Sequence, residues 1–128
     1  MKLLLDAHAL LWAVEDPARL SPKVRRRIEL GATRVLVSIA SIWELAIKES
    51  IGRLGTKRPL DVVLEDALAL HGFEQLDIDV RHALRVAKLP ALHGDPFDRM
   101  LVAQAIEERC TLVTRDRALD AYPVETLW

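Results

Sequence analysis

Short apolar runs that stop abruptly, each followed by residues at helical spacing, set the architecture this chain can reach. Lys2 to Leu5, Arg34 to Ser38, Thr111 to Thr114 and Val124 to Leu127 have strand length and a leucine or β-branched character. A weaker run covers Phe73 to Ile78. Between them the helix punctuation is regular. Ala7 to Val14 is stopped by Asp16-Pro17. Ser21 caps a helix that Pro22 opens and Gly31 follows, and Ile39 to Ile51 runs into Gly52 and Gly55. Pro59 to His71 is closed by Gly72, and Asp79 caps a helix to Lys88. After a loop over Pro90 to Gly94, Asp95 caps and Pro96 opens a helix to Arg109, and Arg117 to Asp120 is a short turn. Strand and helix alternate throughout, which predicts βαβ units: an α/β domain whose mostly parallel central sheet is flanked by helices. No repeat, low-complexity tract or linker divides the chain, so residues 1–128 read as one domain, long enough to bury a core.

Strands of a parallel sheet end on one edge, and open α/β sheets bind ligands there. That geometry singles out Asp6, Glu44, Asp98 and Asp116, which lie where the chain passes from strand to helix or just beyond, beside apolar residues. Each has a competing structural reading. Asp6 is a good N-cap for the helix that starts at Ala7. Ser41-Ile42-Trp43-Glu44 matches a capping box, although a helix starting just after Ser38 would bury Glu44 among Trp43, Leu45 and Ile47. In Asp95-Pro96-Phe97-Asp98, Asp95 suits the cap and Asp98 the third helical position, where the helix dipole favours an acid. Asp98 is therefore the candidate metal ligand, and Asp95 a candidate outer ligand. Asp116 is a turn or cap residue beside Thr114, whose hydroxyl is a further oxygen donor.

Taken together the four say more than singly. Carboxylates within about 4 Å of one another repel by roughly 4 kcal/mol per pair at an effective dielectric near 20. A cluster of them survives by holding protons or a cation, and hard Mg²⁺ or Mn²⁺ suits oxygen donors. The formal charge is −1, with 19 acidic and 18 basic side chains; setting the four acids aside leaves 15 against 18, a mildly basic surround of +3. Such a balance permits a polyanionic substrate without demanding one.

Other features close off other classes. Cys110 is the only cysteine, so no intramolecular disulfide forms, and its place at the end of an apolar helix reads as a buried, inert thiol. The leader-like start Met1 to Leu5 is broken by Asp6 and His8, and no stretch approaches 18 apolar residues; the expectation is a cytoplasmic protein without membrane spans. Aromatics total 5%, too few to suggest a stacking platform, and Trp12, Trp43 and Trp128 read as core. Glu107 and Glu108 read as a solvated helix face, and His93, in a glycine-containing loop, is assigned no role. His8, one helical step past Asp6, is a weaker candidate for approaching a metal. Arg99 and Arg115, next to proposed ligands, are candidates for touching phosphate.

Four blocks in order, Leu5-Asp6-Ala7-His8-Ala9-Leu10-Leu11-Trp12, Ser41-Ile42-Trp43-Glu44-Leu45-Ala46-Ile47-Lys48, Asp95-Pro96-Phe97-Asp98-Arg99 with Ala103-Gln104-Ala105, and Leu112-Val113-Thr114-Arg115-Asp116, resemble PIN-domain proteins, and among them the VapC-type toxins of bacterial toxin–antitoxin systems. The resemblance spans nearly the whole chain. It implies a Mg²⁺- or Mn²⁺-dependent endoribonuclease, a homodimer, and inhibition by a small antitoxin protein that covers the acidic pocket. The family's acidic quartet falls on Asp6, Glu44, Asp98 and Asp116. On these residues the expectation is one or two bound ions, with Asp98 and Asp116 holding any second ion more loosely. One departure stands out: Ala7 replaces the Ser or Thr that many relatives carry after the first acid.

A receiver domain would need an acidic pair at the first strand end and a late lysine, where this chain has Asp6-Ala7-His8 and Thr114-Arg115. A haloacid-dehalogenase-like phosphatase would need Asp-x-Asp, and residue 8 is histidine. A catalytically silent metal-binding or interaction module, or a DNA-directed nuclease, remains compatible with the same residues.

Overall fold

The first strand explains the rest of the fold. A computed structural model describes residues 1–128, and in it Leu3, Leu4 and Leu5 of β1 (Lys2–Leu5) are wholly buried. A strand apolar on both faces belongs in the middle of a covered parallel sheet. β1 pairs in parallel with β2 (Arg34–Ser38) on one side and β4 (Thr111–Val113) on the other. β3 (Glu74–Leu76) and β5 (Thr126–Leu127) complete a five-stranded, all-parallel sheet in the order β3-β2-β1-β4-β5.

The alternation of side chains along each strand divides the core into two layers. Leu3, Leu5, Val35, Val37 and Val113 face one cluster with Leu10 of α1 (Ala7–Glu15), Val24 of α2 (Pro22–Glu29) and Val63 of α4 (Leu60–Ala69). Leu4, Leu36 and Leu112 face the other, with Leu101 and Val102 of α6 (Pro96–Glu108) and, partly buried, Val86 of α5 (Val80–Ala87). α3 (Ile39–Ser50) contributes to both clusters, through Leu45 and Ala40. It therefore crosses the carboxyl edge of the sheet and bridges the two helical layers.

The expected α/β class and nearly every expected element are present. Differences fall at element ends: β3 and β5 are shorter than their apolar runs, and Pro17–Arg19 adds a 3₁₀ turn. β3 lies at the sheet edge, where Glu74 and Gln75 are exposed and ladder bonds form on one side only. α6 ends on Arg109 in the left-handed conformation (φ 55°), a role glycine usually takes. No helix is long and apolar enough to cross a membrane.

β1 lies between β2 and β4, so the chain leaves it toward one side and returns on the other. This is a topological switch point, and the crevice outside it lies between the ends of β1 and β4.

Candidate active site

Asp6 caps a helix and also lines the crevice. β1 ends at Leu5, and Asp6 accepts a hydrogen bond from the Ala9 amide at 2.8 Å to start α1. Its own amide donates to the Val113 carbonyl at 3.0 Å, joining the ends of β1 and β4 at the switch point. Burial pushes its carboxyl above the usual aspartate range. The Ala9 amide, the Thr114 hydroxyl and His8 act in the opposite sense, while the charge of Glu44 adds to the rise. Ala7 offers no hydroxyl, and the hydroxyl beside Asp6 comes from buried Thr114 at the end of β4.

Glu44 is not part of a capping box. The Ser38 hydroxyl caps α3 by accepting from the Ala40 amide at 3.0 Å, so the helix begins at Ile39 and Glu44 lies in its second turn. Its side chain is 19% exposed and meets Lys48 Nζ at 3.3 Å. Its charge raises the pKa of both Asp6 and Asp98, which places it within electrostatic reach of the two.

Asp95 caps α6, accepting from the amides of Phe97 at 2.8 Å and Asp98 at 3.2 Å. This orients the first turn of the helix so that Asp98 turns toward the crevice. Burial raises the Asp98 carboxyl above its ordinary range, His93 opposes this, and Asp95 and Glu44 reinforce it. Asp116 is exposed and accepts from the Ala118 amide at 2.9 Å, while Thr114 Oγ accepts from the Asp116 amide at 3.1 Å.

The side chains of His93, Asp98 and Asp116 converge: one ligand atom from each lies within 4.8 Å of the others, and His93 Nε2 is 2.9 Å from Asp98 Oδ2. Asp6 and Glu44 stand outside this trio but border it. Asp6 and Asp116 line one cleft of about 390 Å³ with His8, Trp12, Arg115 and Trp128. A second cleft of about 600 Å³ shares His8 and Trp12 and continues past Arg19 and Lys57. The tightest grouping thus involves Asp98 and Asp116, the pair expected to hold an ion more loosely, and it includes a histidine that the sequence reading leaves without a role. The sequence carries no periodic signal for His93, which lies in the loop before the Asp95 cap, and Arg99 holds that loop in place.

Several other expectations need correction. Trp43 is not core; it is 60% exposed and packs edge-on against Phe97 with ring centroids 5.1 Å apart. Arg99 is not free for phosphate, because its guanidinium donates to the carbonyls of Pro90 (2.8 Å) and Val86 (3.1 Å) and to the Tyr122 hydroxyl (3.1 Å). Glu107 and Glu108 do not simply face solvent, since Arg85 meets Glu107 at 2.6 Å and Arg81 meets Glu108 at 3.1 Å, fastening α5 to α6. Two of the few aromatics stand at the cleft: Trp12 lies 5.5 Å from the His8 ring and 5.8 Å from Trp128, with Arg19 4.5 Å over its face.

The donor set fits a divalent cation. Donors around an octahedral ion with bonds of about 2.1 Å stand roughly 3.0 Å apart when adjacent and roughly 4.2 Å when opposite. The His93–Asp98 separation matches an adjacent pair, and the trio needs only a slight contraction. Asp6 and Asp98 are carboxylates whose burial disfavours their charge, and a cation reverses that penalty.

This α/β sheet with acids on its carboxyl edge is that of a PIN domain: the family matches residues 3–125, and the chain belongs to it. Over 131 aligned residues it is 35% identical to Ribonuclease VapC22 of Mycobacterium tuberculosis, covering 98% of each chain. Its fold is similar to those in the DNA-bound VapBC2 complex of Rickettsia felis (TM-score 0.76, 18% identity, 100% of this chain and 98% of that one) and in FitAcB of Neisseria gonorrhoeae (TM-score 0.65, 21% identity, 98% and 96%).

Proposed function

We propose that this chain is a divalent-metal-dependent endoribonuclease that hydrolyses RNA phosphodiester bonds, acting in the cytoplasm as the toxin of a type II toxin–antitoxin pair. The observation that carries the reading is the convergence of Asp98 and Asp116 beside Asp6 and Glu44 at the switch point of a PIN-domain sheet. The 35% identity to a relative named as a ribonuclease supports the reaction class.

In this reading Asp6, Glu44, Asp98 and Asp116 hold Mg²⁺ or Mn²⁺, and Asp95 supports them from the helix cap. An ion held by these residues would supply Lewis-acid stabilisation of phosphoryl charge and lower the pKa of a bound water. No serine or cysteine nucleophile is required; Cys110 is buried away from the crevice and burial raises its thiol pKa. Arg115 faces the same cleft as Asp6 and Asp116, and Lys57 and Arg19 line its continuation, so cations flank the path of a phosphate backbone. Thr114 and Lys48 position Asp6 and Glu44 respectively.

Exposed apolar surface supports protein partners. Trp43, Ile47 and Ile51 are exposed at successive i, i+4 positions of α3 and its end, and a groove of about 430 Å³ beside Trp43 is lined by Ile78, Val86, Phe97 and Met100. An antitoxin segment and a second copy of the chain are the proposed occupants of such surfaces. Solved structures similar in fold include toxin–antitoxin complexes.

The test is incubation of purified protein with labelled RNA, with Mn²⁺, with Mg²⁺ and with a chelator, beside a single-stranded DNA control. Cleavage of RNA alone, abolished by the chelator, is expected. Cleavage of DNA instead would make it a DNA-directed nuclease, and metal binding without cleavage of either would make it a silent binding module.

A further inference from the structure

We propose that His93 is a nitrogen ligand of the divalent ion, completing a site with Asp98 and Asp116 that selects a transition ion such as Mn²⁺ over Mg²⁺. The inference rests on the metal-dependent reading above and adds a residue and a metal preference to it.

Three observations converge. First, the His93 ring faces the acids: Nε2 lies 2.9 Å from Asp98 Oδ2, and a ring nitrogen lies within 4.8 Å of an Asp116 carboxylate oxygen. Secondly, the side chain is held where a ligand needs to be. The His93 side chain is 25% exposed and that of Asp98 22%. Arg99 donates to the carbonyls of Pro90 and Val86, so the loop carrying His93 is tied to the same helix that carries Asp98. The Leu92 amide closes the loop on the Pro90 carbonyl at 2.9 Å. Thirdly, the site is already rich in carboxylates, and a neutral imidazole adds a donor without adding repulsion, which another carboxylate at that point would do.

The donor chemistry then decides the metal. Imidazole nitrogen suits first-row transition ions, whereas Mg²⁺ takes oxygen and gains little from it. The alternative is that His93 only hydrogen-bonds Asp98 and orients its carboxylate; the 2.9 Å contact alone is compatible with both.

Mn²⁺ added alone to the protein separates these roles. Pulsed electron paramagnetic resonance of the Mn²⁺ complex should show ¹⁴N modulation from a directly bound imidazole, absent in His93→Gln. Calorimetric titration should show Mn²⁺ affinity falling roughly tenfold or more in His93→Gln, with Mg²⁺ affinity changed by less than about twofold. Glutamine preserves a hydrogen-bond donor toward Asp98, so a merely orienting role would leave Mn²⁺ affinity nearly intact. Asp98→Asn is the companion variant, and thermal melts of all three proteins verify folding. If Mn²⁺ binds, is lost in Asp98→Asn, yet gives no nitrogen signal and is indifferent to His93→Gln, the histidine ligand is refuted while the metal centre stands. If neither ion binds the unmodified protein, both ideas fall together.

Discussion

Ser38 and Gln104 are both wholly buried, and their side chains hydrogen-bond across 66 residues of sequence. The serine hydroxyl donates to Gln104 Oε1 while accepting from the Ala40 amide, so one atom caps α3 and joins it to α6. Glu44 and Asp98 are carried by those two helices. Ser38→Ala removes the cap and leaves a buried amide oxygen without its donor. It should cost about 2–3 kcal/mol in urea unfolding, with Gln104→Ala non-additive in a double-mutant cycle. Strict additivity would show that the pair does not act as a unit.

Asp6→Asn separates chemistry from architecture. Asparagine caps helices as well as aspartate does, so the Ala9 contact survives. The variant loses a buried charge whose neutral form the fold favours, so the metal-free protein should melt at a higher temperature than the unmodified one. RNA cleavage should fall by at least about 10²-fold. Full activity in a folded Asp6→Asn protein would remove Asp6 from the centre.

Stability should depend on pH and metal together. Asp6 and Asp98 both have folded-state pKa values raised by burial, so protonation favours the folded form. The metal-free protein is therefore penalised above those raised values and relieved as pH falls through them toward the usual aspartate range near 4. Mn²⁺ removes the same penalty, so its increase in Tm should be largest at neutral pH and shrink with acidification. Glu74, Asp79 and Glu107 have lowered pKa values from their arginine partners, and their contribution is lost only at lower pH. A metal-induced rise in Tm that is constant from pH 8 to pH 4 would contradict this assignment.

Trp43 should matter for association rather than folding. It is 60% exposed, and truncation leaves the core intact. Trp43→Ala should change stability by under about 1 kcal/mol yet weaken binding of the co-expressed antitoxin by at least about tenfold, as anchoring aromatics do. Calorimetry of the purified pair measures this, and unchanged affinity would exclude the α3 surface from that interface.

The sheet was legible because its signals are local and redundant: Leu3-Leu4-Leu5, cut short by Asp6, suits a covered strand, and Asp95-Pro96 suits the opening of a helix. Parallel order then follows from alternation, and with it the shared edge that brings Asp6 to Asp116. Glu44 stayed ambiguous because Ser38 and Ser41 are both plausible caps; in the fold Ser38 accepts from the Ala40 amide and is held by Gln104, while the Ser41 hydroxyl donates to the Leu5 carbonyl. His93 was hidden because a loop histidine has no periodicity to read; its meaning comes from Arg99 tying the loop down. Trp43 misled because an apolar residue on an amphipathic helix looks the same whether it faces the core or a partner.

The central claim is that acids distant in sequence collect one cation at the sheet edge. Anomalous diffraction at the manganese edge, from crystals grown with Mn²⁺, tests it most directly. The account expects a peak about 2.0–2.4 Å from carboxylate oxygens of Asp98 and Asp116, beside Asp6 and Glu44. An empty crevice at saturating Mn²⁺, with the ion bound elsewhere or nowhere, would contradict it.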